Sequence, residues 1–376
     1  MRIDNAALAV TREYLDTMMY AVIDLRLSLE TAPSLTGFPE FESLRRVIGR
    51  LDAAHQVLFR LLRLGDAVDD ESFRKSIPNA VVTALLATGL VVREPDGSWR
   101  TPGLLVVPAE GLLLIAGIPS SYPTNTQPQQ AWFDLSTFFV ARTLPGAVTG
   151  RAVDICSGTG VHALLCASRG ATSVVGLELH EPAVVIATAN AVLNGLDDRV
   201  EFRQSNVLSA LDKGETFDFV VCNLPYAPVV AGIGCPSTVA GVGNSVLWPL
   251  LETLPAHLSD RARGIVATWR SAGYGGSSYQ LRSIAECLTA VGCSVSAYLD
   301  PAFDTIDDVL RLLHKDLGQR PNVTAAVAEG LVHQVKELIE TSDLPIDGYY
   351  NQLVHFSRAP GSPVRETEIF SLRLPS

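Results

Sequence analysis

Residues 151–160 read Arg-Ala-Val-Asp-Ile-Cys-Ser-Gly-Thr-Gly, and this stretch decides the fold. Its first five residues have the apolar character of a buried strand. Asp154 supplies a carboxylate near the end of this strand. A turn of small residues with Gly158 and Gly160 follows, and an amphipathic run begins directly after it. Glycines between a strand and a helix let the backbone approach a nucleotide-like ligand at the strand's carboxyl end. The stretch therefore predicts a strand, a ligand-binding turn and a helix of an α/β sheet.

Strand and helix patterns alternate from about residue 132 onward, which predicts a doubly wound parallel sheet in a domain spanning 121–376. Two further helices are expected in an insert over 302–342, before the last strand. The expected strands are 151–155, 173–177, 199–203, 217–222, 263–268, 294–299 and 349–357, and the expected helices between them are 161–169, 182–194, 245–258 and 277–291.

The first 120 residues are predicted to form a separate, mainly helical domain. Apolar positions at helical spacing predict helices over 10–29, 41–64, 70–76 and 78–88. A hairpin is expected to follow, so the order of elements is that of a winged helix. Because the 78–88 helix contains no Lys or Arg, the sequence favours a dimerisation or substrate-covering role over DNA binding.

A second stretch, Val-Cys-Asn-Leu-Pro-Tyr at residues 221–226, places polar groups at the end of the fourth predicted strand. Asn223 offers a side-chain amide, and the next residue offers its carbonyl. Pro225 fixes the turn, and the ring of Tyr226 offers a face for a planar substrate or a cation. These groups are expected at the same sheet edge as the glycine turn.

Together the two stretches resemble the class I S-adenosylmethionine-dependent methyltransferases, specifically the type that methylates planar nitrogens, such as protein-glutamine and adenine-amine methyltransferases. The resemblance covers about residues 132–300. It implies a seven-stranded Rossmann-like sheet whose seventh strand inserts antiparallel, with S-adenosylmethionine as the cofactor. It also implies that Asn223, Pro225 and Tyr226 are the catalytic residues, which orient the acceptor nitrogen.

The resemblance further assigns a role to each cofactor-binding position. Asp154 is expected to meet the ammonium group of the methionine moiety, Glu178 the ribose hydroxyls and Asn206 the adenine amino group. Cys156 replaces a glycine of the family's first motif, a departure that is tolerable if the φ of Cys156 is negative. The complete expected set is Asp154, Cys156, Gly158, Gly160, Glu178, Asn206 and Asn223.

Composition restricts the partners. The net charge is −11 and no basic run is present, so the sequence disfavours a nucleic-acid substrate and favours a small molecule. The six cysteines form no Cys-x-x-Cys pair, and we predict reduced thiols, a cytoplasmic protein and no metal site. No apolar stretch reaches the roughly 18 residues of a membrane span. The sequence leaves a homodimer open.

Three enzymatic functions remain open at this stage, beside a non-enzymatic transcription factor based on the winged helix, which would leave residues 223–226 unexplained. The first is methylation of a planar or amine nitrogen in a small metabolite. The second is N-methylation of a protein glutamine or of an rRNA or DNA base. The third keeps the cofactor but uses its aminocarboxypropyl arm, as in a cyclase that forms a four-membered azetidine amino acid.

Overall fold

The computed structural model describes residues 1–31, 39–119, 122–124, 131, 133, 135–225, 227–229, 238–240, 246–272, 284, 287–318, 323–341, 347–358 and 365–368. Tyr226, one of the expected catalytic residues, lies outside this set. The chain forms two compact units, of which the first comprises 1–143, 158–168 and 180–202 and the second comprises 144–157, 169–179 and 203–376. Neither unit is continuous in sequence, and the domain border near residue 120 stays a prediction.

Among the described residues of the N-terminal region, six helices precede two short hairpins. The helix predicted over 10–29 is divided, because Met19 adopts a left-handed backbone with φ of 50°. The helix predicted over 41–64 is also divided, and Asp52 begins its second part by accepting hydrogen bonds from the backbone of Ala54 and His55. The elements are α1 (Asn5–Thr17), α2 (Tyr20–Leu29), α3 (Phe41–Ile48), α4 (Ala53–Leu64), α5 (Asp70–Ser76), α6 (Asn79–Thr88), β1 (Val92–Arg93), β2 (Trp99–Arg100), β3 (Leu104–Ala109) and β4 (Leu112–Gly117).

The rest of the described chain alternates between strands and helices, as predicted. The helix expected over 277–291 lies mostly outside the described residues. The elements are α7 (Leu135–Thr143), β5 (Arg151–Ile155), α8 (Val161–Ser168), β6 (Ser173–Glu178), α9 (Glu181–Leu193), β7 (Val200–Gln204), β8 (Phe217–Asn223), β9 (Ala227–Val229), β10 (Thr238–Ala240), α10 (Leu247–Thr253), a 3₁₀ turn (Leu254–His257), β11 (Leu258–Ala272), β12 (Cys293–Thr305), α11 (Ile306–Gly318), α12 (Ala325–Glu340), β13 (Gly348–Arg358) and β14 (Arg365–Glu368).

The main sheet has the order β14-β12-β13-β11-β8-β5-β6-β7. β5 is parallel to β6 and β8, β8 is parallel to β11, and β13 is antiparallel to both β11 and β12. The predicted α/β fold with an antiparallel insertion by the strand over 349–357 is therefore confirmed. β14 adds an eighth described strand, parallel to β12. Its sequence, Arg-Glu-Thr-Glu, has no apolar alternation from which a strand could be predicted.

The predicted helical insert begins later than expected, because β12 continues to Thr305. Thr305 and Asp308 then exchange hydrogen bonds: the Thr305 backbone N–H donates to the Asp308 carboxylate (3.1 Å), and the Asp308 N–H donates to the Thr305 hydroxyl (3.1 Å). This reciprocal arrangement is a capping box, which satisfies the first free donors of a helix. It places the start of α11 at Ile306 rather than at 302.

Asp218 joins the amino-terminal ends of three central strands. Its carboxylate accepts hydrogen bonds from the Arg151 backbone N–H (3.0 Å), the Ser259 hydroxyl (2.8 Å) and the Arg261 guanidinium (2.8 Å). The hydrogen bond from Arg261, helped by the other donors, lowers the pKa of Asp218 to about 2. The ionised carboxylate is therefore part of the connection between β5, β8 and β11.

Because the pKa of Asp218 is lowered on folding, its ionisation stabilises the fold at neutral pH. This contribution is present above the unfolded-state pKa of about 4 and is lost as pH falls through about 2. We expect Asp218→Asn to lower the free energy of unfolding by about 1–2 kcal/mol at neutral pH and by much less near pH 2. Urea denaturation at both pH values measures this, with the exposed Asp260→Asn as control. An equal loss at both pH values would contradict the role of the charge.

Candidate functional site

Three of the expected site residues lie at the same edge of the central sheet. Parallel strands have their carboxyl ends at one edge, and Asp154, Glu178 and Asn223 lie at or near those ends on the neighbouring strands β5, β6 and β8. Asp154 is paired with Gly176 on one side and with Val221 on the other, each two residues before its neighbour's site residue. Asp154 is fully buried, Glu178 is buried and Asn223 is half-buried.

Ser157 binds the turn after β5 to neighbouring backbone. The Ser157 N–H donates to the Leu177 carbonyl (3.0 Å), and the Ser157 hydroxyl donates to the Asp154 carbonyl (2.9 Å). Cys156, immediately before, has a φ of +63°. The condition of a negative φ at Cys156 is therefore not met. A positive φ is a backbone conformation that glycine adopts most easily. Cys156, which precedes the hydrogen-bonded Ser157, therefore takes it at a cost in backbone strain.

Cys156→Gly should therefore stabilise the protein. The left-handed region costs an L-residue roughly 1–2 kcal/mol, and the greater freedom of glycine in the unfolded chain offsets about 0.5–1 kcal/mol of the gain. We expect the free energy of unfolding to rise by up to about 1.5 kcal/mol, as measured by urea denaturation. Cys166→Gly, which lies within α8, is the control and should destabilise. A loss of stability in Cys156→Gly would show that the thiol contributes more than the backbone strain costs.

Cys156 lies beside a second thiol, Cys222, on β8. Burial, followed by the hydrogen bond with Cys156 and the proximity of Asp154, raises the pKa of Cys222 well above its usual value. The Cys222 thiol thus stays protonated at neutral pH and is a core residue rather than a nucleophile. In the portion of the chain that is described, no three His, Cys, Asp or Glu side chains are grouped as metal ligands.

The glycine turn itself contains a residue that the sequence analysis missed. Gly158 and Gly160 both have positive φ values, 54° and 78°. Thr159, between them, is buried, and its hydroxyl has no hydrogen-bond partner among the described residues. A buried hydroxyl without a partner is costly, and a bound ligand is one way to satisfy it. A hydroxyl residue between the two glycines was the available signal.

The remaining cofactor position, Asn206, follows β7 and is exposed. Its backbone N–H donates to the Ser209 hydroxyl (3.1 Å), and the next residue, Val207, has a φ of +54°. Ser205 contacts the neighbouring strand end, because its N–H donates to the Glu178 carbonyl (2.8 Å). The contact of Asn206 with an adenine ring stays a prediction.

Backbone pairing fixes the segment that begins at Asn223. Asn223 is paired with Ala267 of β11, and the Leu224 N–H donates to the Ala267 carbonyl (3.0 Å). The Leu224 side chain is buried in the core beneath this edge. The backbone at Asn223 is thus held against β11, and Pro225 follows two residues later, half-buried.

Comparison with known proteins agrees with this geometry. Residues 129–232 match the family model of the methyltransferase small domain. The chain is 36% identical over 77 residues to the ribosomal protein uL3 glutamine methyltransferase of Bordetella pertussis, covering 20% of this chain and 26% of that protein. It is 27% identical over 168 residues to the ribosomal protein L11 methyltransferase of Heliobacterium modesticaldum, covering 42% and 50%. The resemblance to S-adenosylmethionine-dependent methyltransferases is therefore confirmed for this part of the chain.

The matches are limited in length: the chain spans at most half of either relative. Among solved structures, the L11 methylase of Lactobacillus delbrueckii subsp. bulgaricus is 20% identical, covers 43% of this chain and 68% of that chain, and superposes with a TM-score of 0.30. A TM-score this low gives the fold no support beyond the strand order described above. Of the helices described, none is both long and apolar enough to cross a membrane.

Proposed function

We propose that this protein is an S-adenosylmethionine-dependent methyltransferase that acts on a planar or amine nitrogen. The observation that carries the proposal is Asn223, followed by Leu-Pro-Tyr, at the carboxyl end of β8, directly beside the strand that leads into the glycine turn. The match of residues 129–232 to the methyltransferase small domain supports it.

The residues present fit the cofactor. The buried hydroxyl of Thr159 has no partner among the residues described, and the buried carboxylate of Glu178 ends β6. Carboxylates at this position suit ribose hydroxyls, and glycine turns suit the close approach of a nucleoside ligand. The proposed cofactor-binding set remains Asp154, Cys156, Gly158, Gly160, Glu178, Asn206 and Asn223, to which we add Thr159. When bound, the cofactor supplies a methyl group on a positively charged sulfur.

Residues 223–225 of this chain are proposed to orient the acceptor. The Asn223 side-chain oxygen and the Leu224 carbonyl can each accept a hydrogen bond from an NH₂ group. Two such bonds hold a planar nitrogen in one orientation, which reduces the entropy cost of reaching the reactive geometry. Pro225 restricts the backbone that carries the Leu224 carbonyl. Tyr226, outside the described residues, is proposed to stack on the acceptor plane.

For the acceptor, we propose a small nitrogenous metabolite, which the net charge of −11 and the absence of a basic run support over a nucleic acid. A protein glutamine is the second candidate, and the named activity of the uL3 glutamine methyltransferase favours it. The side-chain amide of glutamine is a planar nitrogen, so the proposed role of Asn223 is the same for both acceptors.

The test is to incubate the pure protein with S-adenosylmethionine, first alone and then with candidate acceptors, and to identify the by-product. We expect S-adenosylhomocysteine, formed in proportion to an added amine or carboxamide acceptor. Methylthioadenosine formed without an acceptor would overturn the proposal in favour of the azetidine-forming cyclase. Failure to bind the cofactor at all would overturn both.

Glu178→Ala should weaken cofactor binding. Loss of hydrogen bonds to a charged acceptor costs roughly 1–3 kcal/mol, which corresponds to about a fivefold to hundredfold rise in Kd for S-adenosylmethionine. Isothermal titration calorimetry measures this, with Glu181→Ala as the control because that carboxylate is exposed, three residues further on. An unchanged Kd would remove Glu178 from the ribose-binding role.

A further inference from the structure

Two asparagines, one in α9 and one directly after it, bind the edge of β4 as another strand would. Asn194 accepts from the Leu113 N–H (3.0 Å) and donates to the Leu113 carbonyl (2.8 Å). Asn190 accepts from the Ile115 N–H (2.7 Å) and donates to the Ile115 carbonyl (2.9 Å). A carboxamide carries the same donor and acceptor as a peptide group. The asparagine pair (Asn190 and Asn194) therefore binds the edge of β4 that faces away from β3.

The two members of the asparagine pair differ in one contact. The Asn190 amide nitrogen also donates to the Thr159 carbonyl in the glycine turn, at 3.0 Å. Both amide hydrogens of Asn190 are therefore used, one on the hairpin and one on the turn, and the side chain is fully buried. For Asn194, no bond to the turn is found within the described residues.

The glycine turn needs such a contact for a physical reason. Glycine has access to more backbone conformations than other residues, so a turn with two glycines loses more entropy when it is ordered. A buried hydrogen bond to the Thr159 carbonyl restricts the turn before any ligand arrives. Ordering a loop in advance strengthens binding, because the ligand no longer bears that cost.

We propose that Asn190 is a positioning residue that holds the glycine turn in its cofactor-binding conformation by connecting Thr159 to the N-terminal hairpin β3–β4. This inference rests on the proposed function. It makes the hairpin, which lies outside the residues that resemble methyltransferases, part of the machinery for cofactor binding. Asn194 holds the same hairpin without contacting the turn, so it contributes to stability alone.

The experiment compares Asn190→Ala with Asn194→Ala in the full chain. Thermal denaturation should show a loss of stability in both variants, since each loses a pair of hydrogen bonds to β4, buried for Asn190 and half-buried for Asn194. Calorimetry with S-adenosylmethionine should show a Kd raised about tenfold to hundredfold in Asn190→Ala and changed less than about twofold in Asn194→Ala. Hydrogen exchange should accelerate at residues 158–161 in the Asn190 variant and not in the Asn194 variant.

Asn190→Ser keeps a polar side chain and replaces Asn190→Ala if the alanine variant does not fold, with Asn194→Ser as its match. Equal Kd values for the Asn190 and Asn194 variants, at similar losses of stability, would overturn the inference while leaving the proposed function intact. If the wild-type protein does not bind S-adenosylmethionine, the proposed function fails instead. The two failures are therefore distinguishable.

Discussion

Asn223→Ala is expected to lower kcat by about two to four orders of magnitude, while the Kd for S-adenosylmethionine changes little, because the proposed contacts to the ribose and the adenine come from other members of the cofactor-binding set. The side-chain oxygen is proposed to orient the acceptor nitrogen, and orientation of reactants contributes to the rate rather than to cofactor affinity. Asn223 is paired with Ala267 through its backbone, which the substitution leaves in place. Steady-state kinetics with the acceptor found in the by-product experiment, together with calorimetry, measure both quantities.

The control is Asn206→Ala, which removes a side-chain amide from the end of another strand, β7. Because Asn206 is proposed to contact the adenine, its loss should raise the Kd of the cofactor and leave kcat nearly unchanged. Near-full activity in Asn223→Ala would show that the planar-nitrogen mechanism is wrong, even though the strand order is unaffected. A large rise in the Kd of the cofactor with kcat unchanged would place Asn223 in cofactor binding alone.

Gly160→Ala should cause a large loss of stability. A β-carbon at this position would overlap the ring of Phe202 and lie 3.0 Å from the Ala187 side chain. Gly160 also has a φ of +78°, which an L-residue adopts at a cost of roughly 1–2 kcal/mol. Overpacking adds about 1–3 kcal/mol, so the free energy of unfolding should fall by about 2–5 kcal/mol.

Gly195→Ala separates these two costs. Gly195 has a φ of +63°, but a methyl group added there would meet no atom of the described residues within 4 Å. Its substitution should therefore cost the backbone strain alone. The double variant Gly160→Ala with Phe202→Leu should recover part of the loss, because the smaller side chain leaves room for the methyl group. Equal losses in the two glycine variants would contradict the importance of the Phe202 contact.

The sequence allowed prediction of the features that depend on local pattern. The order of strands and helices followed from alternating apolar runs, and the placement of Asp154, Glu178 and Asn223 at one edge followed from strands that end in polar residues. The antiparallel insertion of the strand over 349–357, which is β13, followed from the resemblance rather than from any periodicity. Its register with β11 could not be read from the sequence.

The features that depend on distant contacts were not predictable. Asn190 contacts Ile115, which lies 75 residues away in the chain, and the local sequence pattern of an alanine-rich helix does not predict such a contact. The left-handed φ of Cys156 was missed because cysteine normally avoids that region. The break at Met19 was missed for the same reason, since the apolar spacing continues through it. In each case tertiary contacts or a costly local conformation override the local preference.

The position of β13 determines when β12 can join the sheet during synthesis. β12 pairs with β13 and β14, both of which are made after it, and β13 alone connects β12 to β11. While the chain emerges from the ribosome, β12 therefore has no native neighbour among the described strands of the sheet until β13 has been made. The strands from β5 to β11 can assemble before that point, but one edge of β11 stays open. An exposed strand edge can pair with other chains. Nascent chains stalled between β12 and β13 consequently expose both edges of β12 and one edge of β11.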